Sequence, residues 1–62
     1  GHAPLPDLLV QAVAWAEHHL VESALERGQG RLETAAALLG IPADSLLLRV
    51  QRLGLSHRLL LN

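Results

Sequence analysis

Sixty-two residues allow one domain and no more, and a chain this short leaves much of its surface exposed around a thin core. Five Arg and no Lys face six acids, for a formal charge of -1, so the chain lacks the basic footprint through which phosphate neutralisation supplies nucleic-acid affinity. With no cysteine, disulfides and thiolate metal sites are excluded and the expected compartment is cytoplasmic. No apolar run reaches the length of a membrane span and no secretory signal is visible, so no membrane partner is expected. Half of the residues are apolar, yet Trp15 is the sole aromatic and Leu and Ala supply the bulk. Strong helix formers with few strand formers predict an all-α fold.

In chain order, Gly1-His2 reads as a cloning remnant, and residues 1–4 as a remnant or disordered lead. Pro4 and Pro6 open the first element, where a missing N–H costs nothing. Asp7 sits where the helix dipole favours an acid. No Gly or Pro follows until Gly28-Gln29-Gly30, so a helix is predicted over about 6–27, closed by a left-handed glycine cap. Leu5, Leu9, Ala12, Ala16 and Leu20 line one face of it, flanked by Leu8 and Trp15. Val10, Ala14, Val21 and Leu25 form a second strip. Two apolar sides require two covers, one being the rest of the domain and the other a second copy of the chain.

A short helix over 31–39 follows, with Ala35, Ala36, Leu38 and Leu39 on its buried side. Gly40 closes it, and Ile41 plugs the turn. Pro42 starts a third helix over 43–53, with Asp44 in its first turn and Gly54 at its end. Leu46, Val50 and Leu53 form its core side, while Asp44, Leu48, Gln51 and Arg52 point away, with Leu47 beside them. Small Ala residues where two helices cross, with a glycine turn between, make a helix-turn-helix over 31–55. The domain thus spans 5–55, and the apolar tail 56–62, with Leu59, Leu60 and Leu61, has no role in a three-helix unit.

Enzyme chemistry has no support, since there is no phosphate loop and no nucleophile with a base at useful spacing. Ser45 and Ser56 lack context as nucleophiles. His18 and His19 are adjacent, so on a helix they diverge by about 100°, and no Cys or acid completes a ligand set. The chain reads as a non-enzyme with no metal and no cofactor.

The segment LVESALERGQGRLETAAALLGIPADSLLLRVQRLGL resembles the Fis-type helix-turn-helix, found in Fis itself and at the C-terminus of sigma-54-dependent enhancer-binding activators. Its specific parts are Ala24-Leu25-Glu26 before the glycine break, the block Ala35-Ala36-x-Leu38-Leu39-Gly40-Ile41, and the closing Arg52-Leu53-Gly54-Leu55. The resemblance implies a two-fold dimer through the helix before the motif, and recognition helices in successive major grooves. It also implies a role in bacterial transcription regulation.

The departures from the family pattern fall on the expected DNA side. Arg31 and Thr34 are suited to phosphate, but Glu33 beside them has the wrong sign. Pro42, Ala43, Leu47 and Leu48 stand where the family reads bases, and Leu or Ala can at best touch a thymine methyl. The candidate DNA contacts are therefore Arg31, Thr34, Ser45, Arg49 and Arg52. The candidate dimer or partner interface is Leu8, Leu9, Ala12, Trp15, Ala16, His19, Leu47 and Leu48. Two functions follow from these residues: a DNA-binding and dimerisation domain, or the same fold kept for dimerisation or a protein partner after loss of readout.

Overall fold

The computed structural model describes residues 5–60, with side chains from 9 onward. The expectations for residues 1–4, for the side chains of Leu5, Asp7 and Leu8, and for Leu61 lie outside that range. The chain is all-α: α1 spans Leu5–Arg27, α2 Leu32–Leu39 and α3 Ala43–Arg52, and a 3-10 turn follows at Ser56–Arg58.

All three helices stop by the same hydrogen-bond arrangement. At the end of α1, Gly30 N–H reaches Leu25 C=O at 2.8 Å and Gln29 N–H reaches Glu26 C=O at 3.1 Å. Ile41 and Gly40 repeat this on Ala36 and Ala37, and Leu55 and Gly54 on Val50 and Gln51. This is the Schellman closure, which satisfies otherwise orphaned carbonyls and turns the chain sharply. It needs one left-handed residue at each stop. Gly40 (φ 70°) supplies it after α2 without a Cβ penalty. After α1 the position falls to Gln29, at φ 57°, rather than to the glycine expected there. Gly30 is itself left-handed at φ 79°, and a Cβ on it would lie 2.9 Å from Arg58 C=O and from Leu60 N. Gly30 therefore serves the close approach of the tail as much as the turn.

The closures deliver Ile41 and Leu55 back onto the core. That core is Val21, Ala24 and Leu25 from α1, Ala35 and Ala36 from α2, Leu46 and Val50 from α3, and Leu55. Buried alanines at 35 and 36 let α1 and α3 approach α2 closely. Leu38, expected on the buried side, is instead half exposed. At about 100° per residue the buried face of α2 is centred on Leu32 and Leu39, and Leu38 lies roughly 110° away from that centre. Glu33 and Asp44 occupy the first turns of α2 and α3, where an acid is favoured by the helix dipole.

The tail is part of the unit. Leu59 packs on the core, and Leu60 N–H donates to Gly30 C=O at 2.7 Å, strapping the chain end to the α1–α2 turn.

The long helix divides by length as well as by side. Val21, Ala24 and Leu25 are buried, whereas Leu9, Val10, Val13, Trp15 and Leu20 are all more than half exposed. The strip of Val10, Ala14, Val21 and Leu25 runs out past the core and that of Leu9, Ala12, Ala16 and Leu20 stays outside it, because α2 and α3 together cover only the last two turns or so of α1. The result measures 49 × 21 × 18 Å with a radius of gyration of 13.4 Å, against about 10.6 Å for a compact chain of this length.

Candidate nucleic-acid interface

The outward side of α3 is set by its core side. Leu46 and Val50 are fully buried, which turns Leu48 directly outward and leaves Ser45, Arg49 and Arg52 along one edge. These four residues border a shallow depression on the surface. Leu48 is 68 % exposed, Ser45 and Leu47 are half-buried, and Asp44 and Gln51 lie exposed on the other edge. Asp44 accepts a hydrogen bond from the backbone N–H of Ser45 at 2.9 Å. Pro42 is the N-cap of α3 in an extended conformation (ψ 149°), with no side-chain cap. Arg31 is likewise an uncapped, extended N-cap for α2. Arg31 and exposed Thr34 border a separate depression with Leu32, Glu33 and Leu60. The five candidate DNA contacts therefore form two groups, one on α3 and one at the start of α2.

The α3 group carries a feature that sequence reasoning missed. Glu17, from the middle of α1, accepts from both arginines: Arg49 Nη1 lies 2.5 Å from Oε2 and Arg52 Nη2 lies 2.7 Å from Oε1. One carboxylate thus serves two guanidiniums, with each oxygen taking one. Arg49 and Arg52 are three apart on one helix face, so a single anion placed opposite them meets both. The hydrogen bond from Arg52 is the main reason that Glu17 titrates below its ordinary value of 4.5. Attraction to Arg52 and Arg49 and the Arg49 hydrogen bond add to it, and together they outweigh the opposing effect of desolvation. A second cross-element pair joins Arg58 to Glu22 at 3.0 Å. Glu17 lies 32 and 35 residues from its partners, beyond any local pattern that could announce the pairing.

The candidate interface residues lie mainly along the overhanging part of α1. Leu9, Ala12 and Trp15 are exposed and Ala16 is half-buried. His19 stacks flat on Trp15, with ring centroids 5.4 Å apart and planes 3° apart. Val13, Ala16 and Leu20 of α1 continue into Val21, Leu39 and Ile41 as a largely apolar trough, which Glu17 and Arg49 also border. Leu47 and Leu48, on α3, are not brought into this trough. Among the described residues no helix is long and apolar enough to cross a membrane, and no group of three His, Asp or Glu side chains is placed to hold a metal ion. Compared with known proteins, the chain matches no family model, no curated protein and no solved structure.

Proposed function

We propose that this chain is the dimerising helix-turn-helix domain of a bacterial transcriptional regulator of the Fis type, which meets duplex DNA through α3 and the start of α2. The observation that supports this reading most is the α2–turn–α3 unit. Its second helix is locked by Leu46 and Val50 so that Ser45, Arg49 and Arg52 face away from the core. In such a unit the outward face of the second helix enters the major groove, and the start of the first lies against the backbone. Arg31 and Thr34 are the phosphate contacts at that start. The domain performs no chemistry of its own, needs no cofactor and works in the cytoplasm.

The overhang of α1 is the place for a second copy. The surface of the chain is 4713 Å², against roughly 3,900 Å² for a compact monomer of this mass. The excess is about what each partner contributes to a standard interface, near 800 Å². A two-fold pairing of the α1 overhangs removes that excess, burying Leu9, Trp15 and Leu20. Such a dimer carries two α3 helices, as paired half-sites require.

A second reading is a module for a protein partner. The pairing of Arg49 and Arg52 with Glu17, beside exposed Leu48, favours it. The test is the affinity of the chain for a mixed pool of duplex DNA at low salt, measured beside its mass in solution. The DNA reading expects binding that falls steeply with salt and that weakens in Arg49→Ala and Arg52→Ala. It also expects Leu48→Lys to bind DNA as tightly or more tightly. A tight dimer without DNA affinity at any salt would overturn it in favour of the second reading.

A further inference from the structure

We infer that Glu17 is a built-in competitor for DNA phosphate: its carboxylate occupies the two α3 arginines and holds the affinity of the domain below what those arginines alone would give. The inference rests on the DNA reading of α3. It starts from the geometry of the pairing. Both carboxylate oxygens are engaged, one with Arg49 and one with Arg52, at 2.5 and 2.7 Å. A phosphate presents two charged oxygens in much the same way, so Glu17 and the DNA backbone are drawn to the same two guanidinium charges.

The exposures give the competition its direction. The Arg49 and Arg52 side chains are 46 % and 63 % exposed, while Glu17 is 24 % exposed. The arginines are the more exposed partners, so their remaining donors are open to an incoming phosphate. Each guanidinium has five donors and commits one to Glu17. Contact with DNA therefore remains open, but against a reduced charge. Two positive charges and one negative leave +1 on this edge of α3, and Asp44 in the first turn brings the outward side of the helix to zero. Affinity for a polyanion depends on the charges neutralised, so each cancelled charge lowers both the affinity and its salt dependence.

Glu17 also sits where α1 leaves the core. Its neighbours Val13, Ala16 and Leu20 line the apolar trough, and Val21 at the next turn is buried. The competitor is thus carried by the helix assigned to the second copy, and not by the helix-turn-helix itself.

The experiment compares the full chain with Glu17→Gln for binding to a mixed duplex pool between about 50 and 200 mM salt. Removing one cancelling charge adds close to one phosphate equivalent. The expected result is binding about tenfold tighter at the low-salt end, with a log–log salt slope steeper by about one. Arg49→Ala and Arg52→Ala then cost more in the Gln background than in the wild type. If both proteins bind DNA and Glu17→Gln is equal or weaker, Glu17 positions the arginines rather than competing for them. That overturns the inference and leaves the DNA reading standing. If neither binds at the lowest salt, both fall. Helical circular dichroism confirms folding of the variant, and Glu17→Ala, which keeps helix propensity without the charge, repeats the comparison.

Discussion

Leu20 and Leu25 lie on one helix, five residues apart, and the same truncation should have opposite consequences at the two. Leu25 is 1 % exposed and touches the centre of the core. Leu25→Ala loses the whole transfer of the side chain and leaves a cavity in the buried cluster, at a cost of about 2–5 kcal/mol. A domain of this size has roughly 3–5 kcal/mol in total, so the variant should be largely unfolded at 25 °C. Leu20 is 57 % exposed, so Leu20→Ala should cost the monomer well under 1 kcal/mol. In a two-fold dimer, however, the exposed part of Leu20 becomes buried in each copy. That is worth about 1 kcal/mol per copy, given about 1.5–3 kcal/mol for complete burial of a Leu. Two copies make about 2 kcal/mol, which weakens the dimer by at least tenfold. Urea unfolding at several protein concentrations separates the two effects, because dimer formation makes the midpoint concentration-dependent, and sedimentation gives the dimer constant directly. Equal loss of monomer stability in both variants would refute the division of α1 into a core half and an overhang. An unchanged dimer constant in Leu20→Ala would refute the assignment of the overhang to a second copy.

Three further outcomes follow from the geometry. The Glu17 carboxyl is held below 4.5 in the folded chain, so its contribution to stability is present above that pH and is lost as pH falls through the folded value. The melting-temperature gap between wild type and Glu17→Gln should therefore be full above about pH 5 and close in acid, and a gap that widens in acid would contradict the pairing. Gln29→Gly removes a Cβ from a left-handed position, a relief of roughly 1–2 kcal/mol partly offset by the added freedom of the unfolded chain. It should raise the melting temperature by a few degrees, whereas Gly30→Ala, with backbone 2.9 Å from its new Cβ, should lower it by about 10 °C or more. Trp15 is the sole aromatic residue and is 69 % exposed; its fluorescence should shift to the blue as protein concentration rises through the dimer constant, and a spectrum independent of concentration would count against its burial between copies.

Helix content and the order of one long and two short helices were readable because their signals are local. Alanine at 35 and 36, glycine at 40 and 54, and the apolar positions 46 and 50 each act within a turn or two of the chain. What escaped reading depends on where elements end in space. Periodicity marks Leu9 and Val10 as apolar face residues just as it marks Val21 and Leu25, and it carries no information on how far along α1 the other helices reach. The left-handed cap at Gln29 rather than at a glycine depends on which residue the closure places there. The tail looked like a surplus apolar run, yet Leu59 and Leu60 are held because Gly30 leaves room for them. On α3 the candidate arginines were visible, but their partner at Glu17 belongs to another helix and follows only from the packing.

The overhang also gives one helix two stabilities. An isolated helical segment of a dozen or so residues is marginal in water and fades toward its free end. The amides of α1 near Val21 to Leu25 should exchange with solvent only when the whole domain opens, while those near Leu9 to Val13 should need no more than local unwinding. Hydrogen exchange along this single helix therefore works as a ruler. The position at which protection rises marks the edge of the core in the free chain, and its movement toward the N-terminus measures how much of the helix a partner has taken up. The affinity for that partner includes the cost of holding those turns in place, so substitutions that raise helix propensity in the overhang should tighten assembly without adding a single contact.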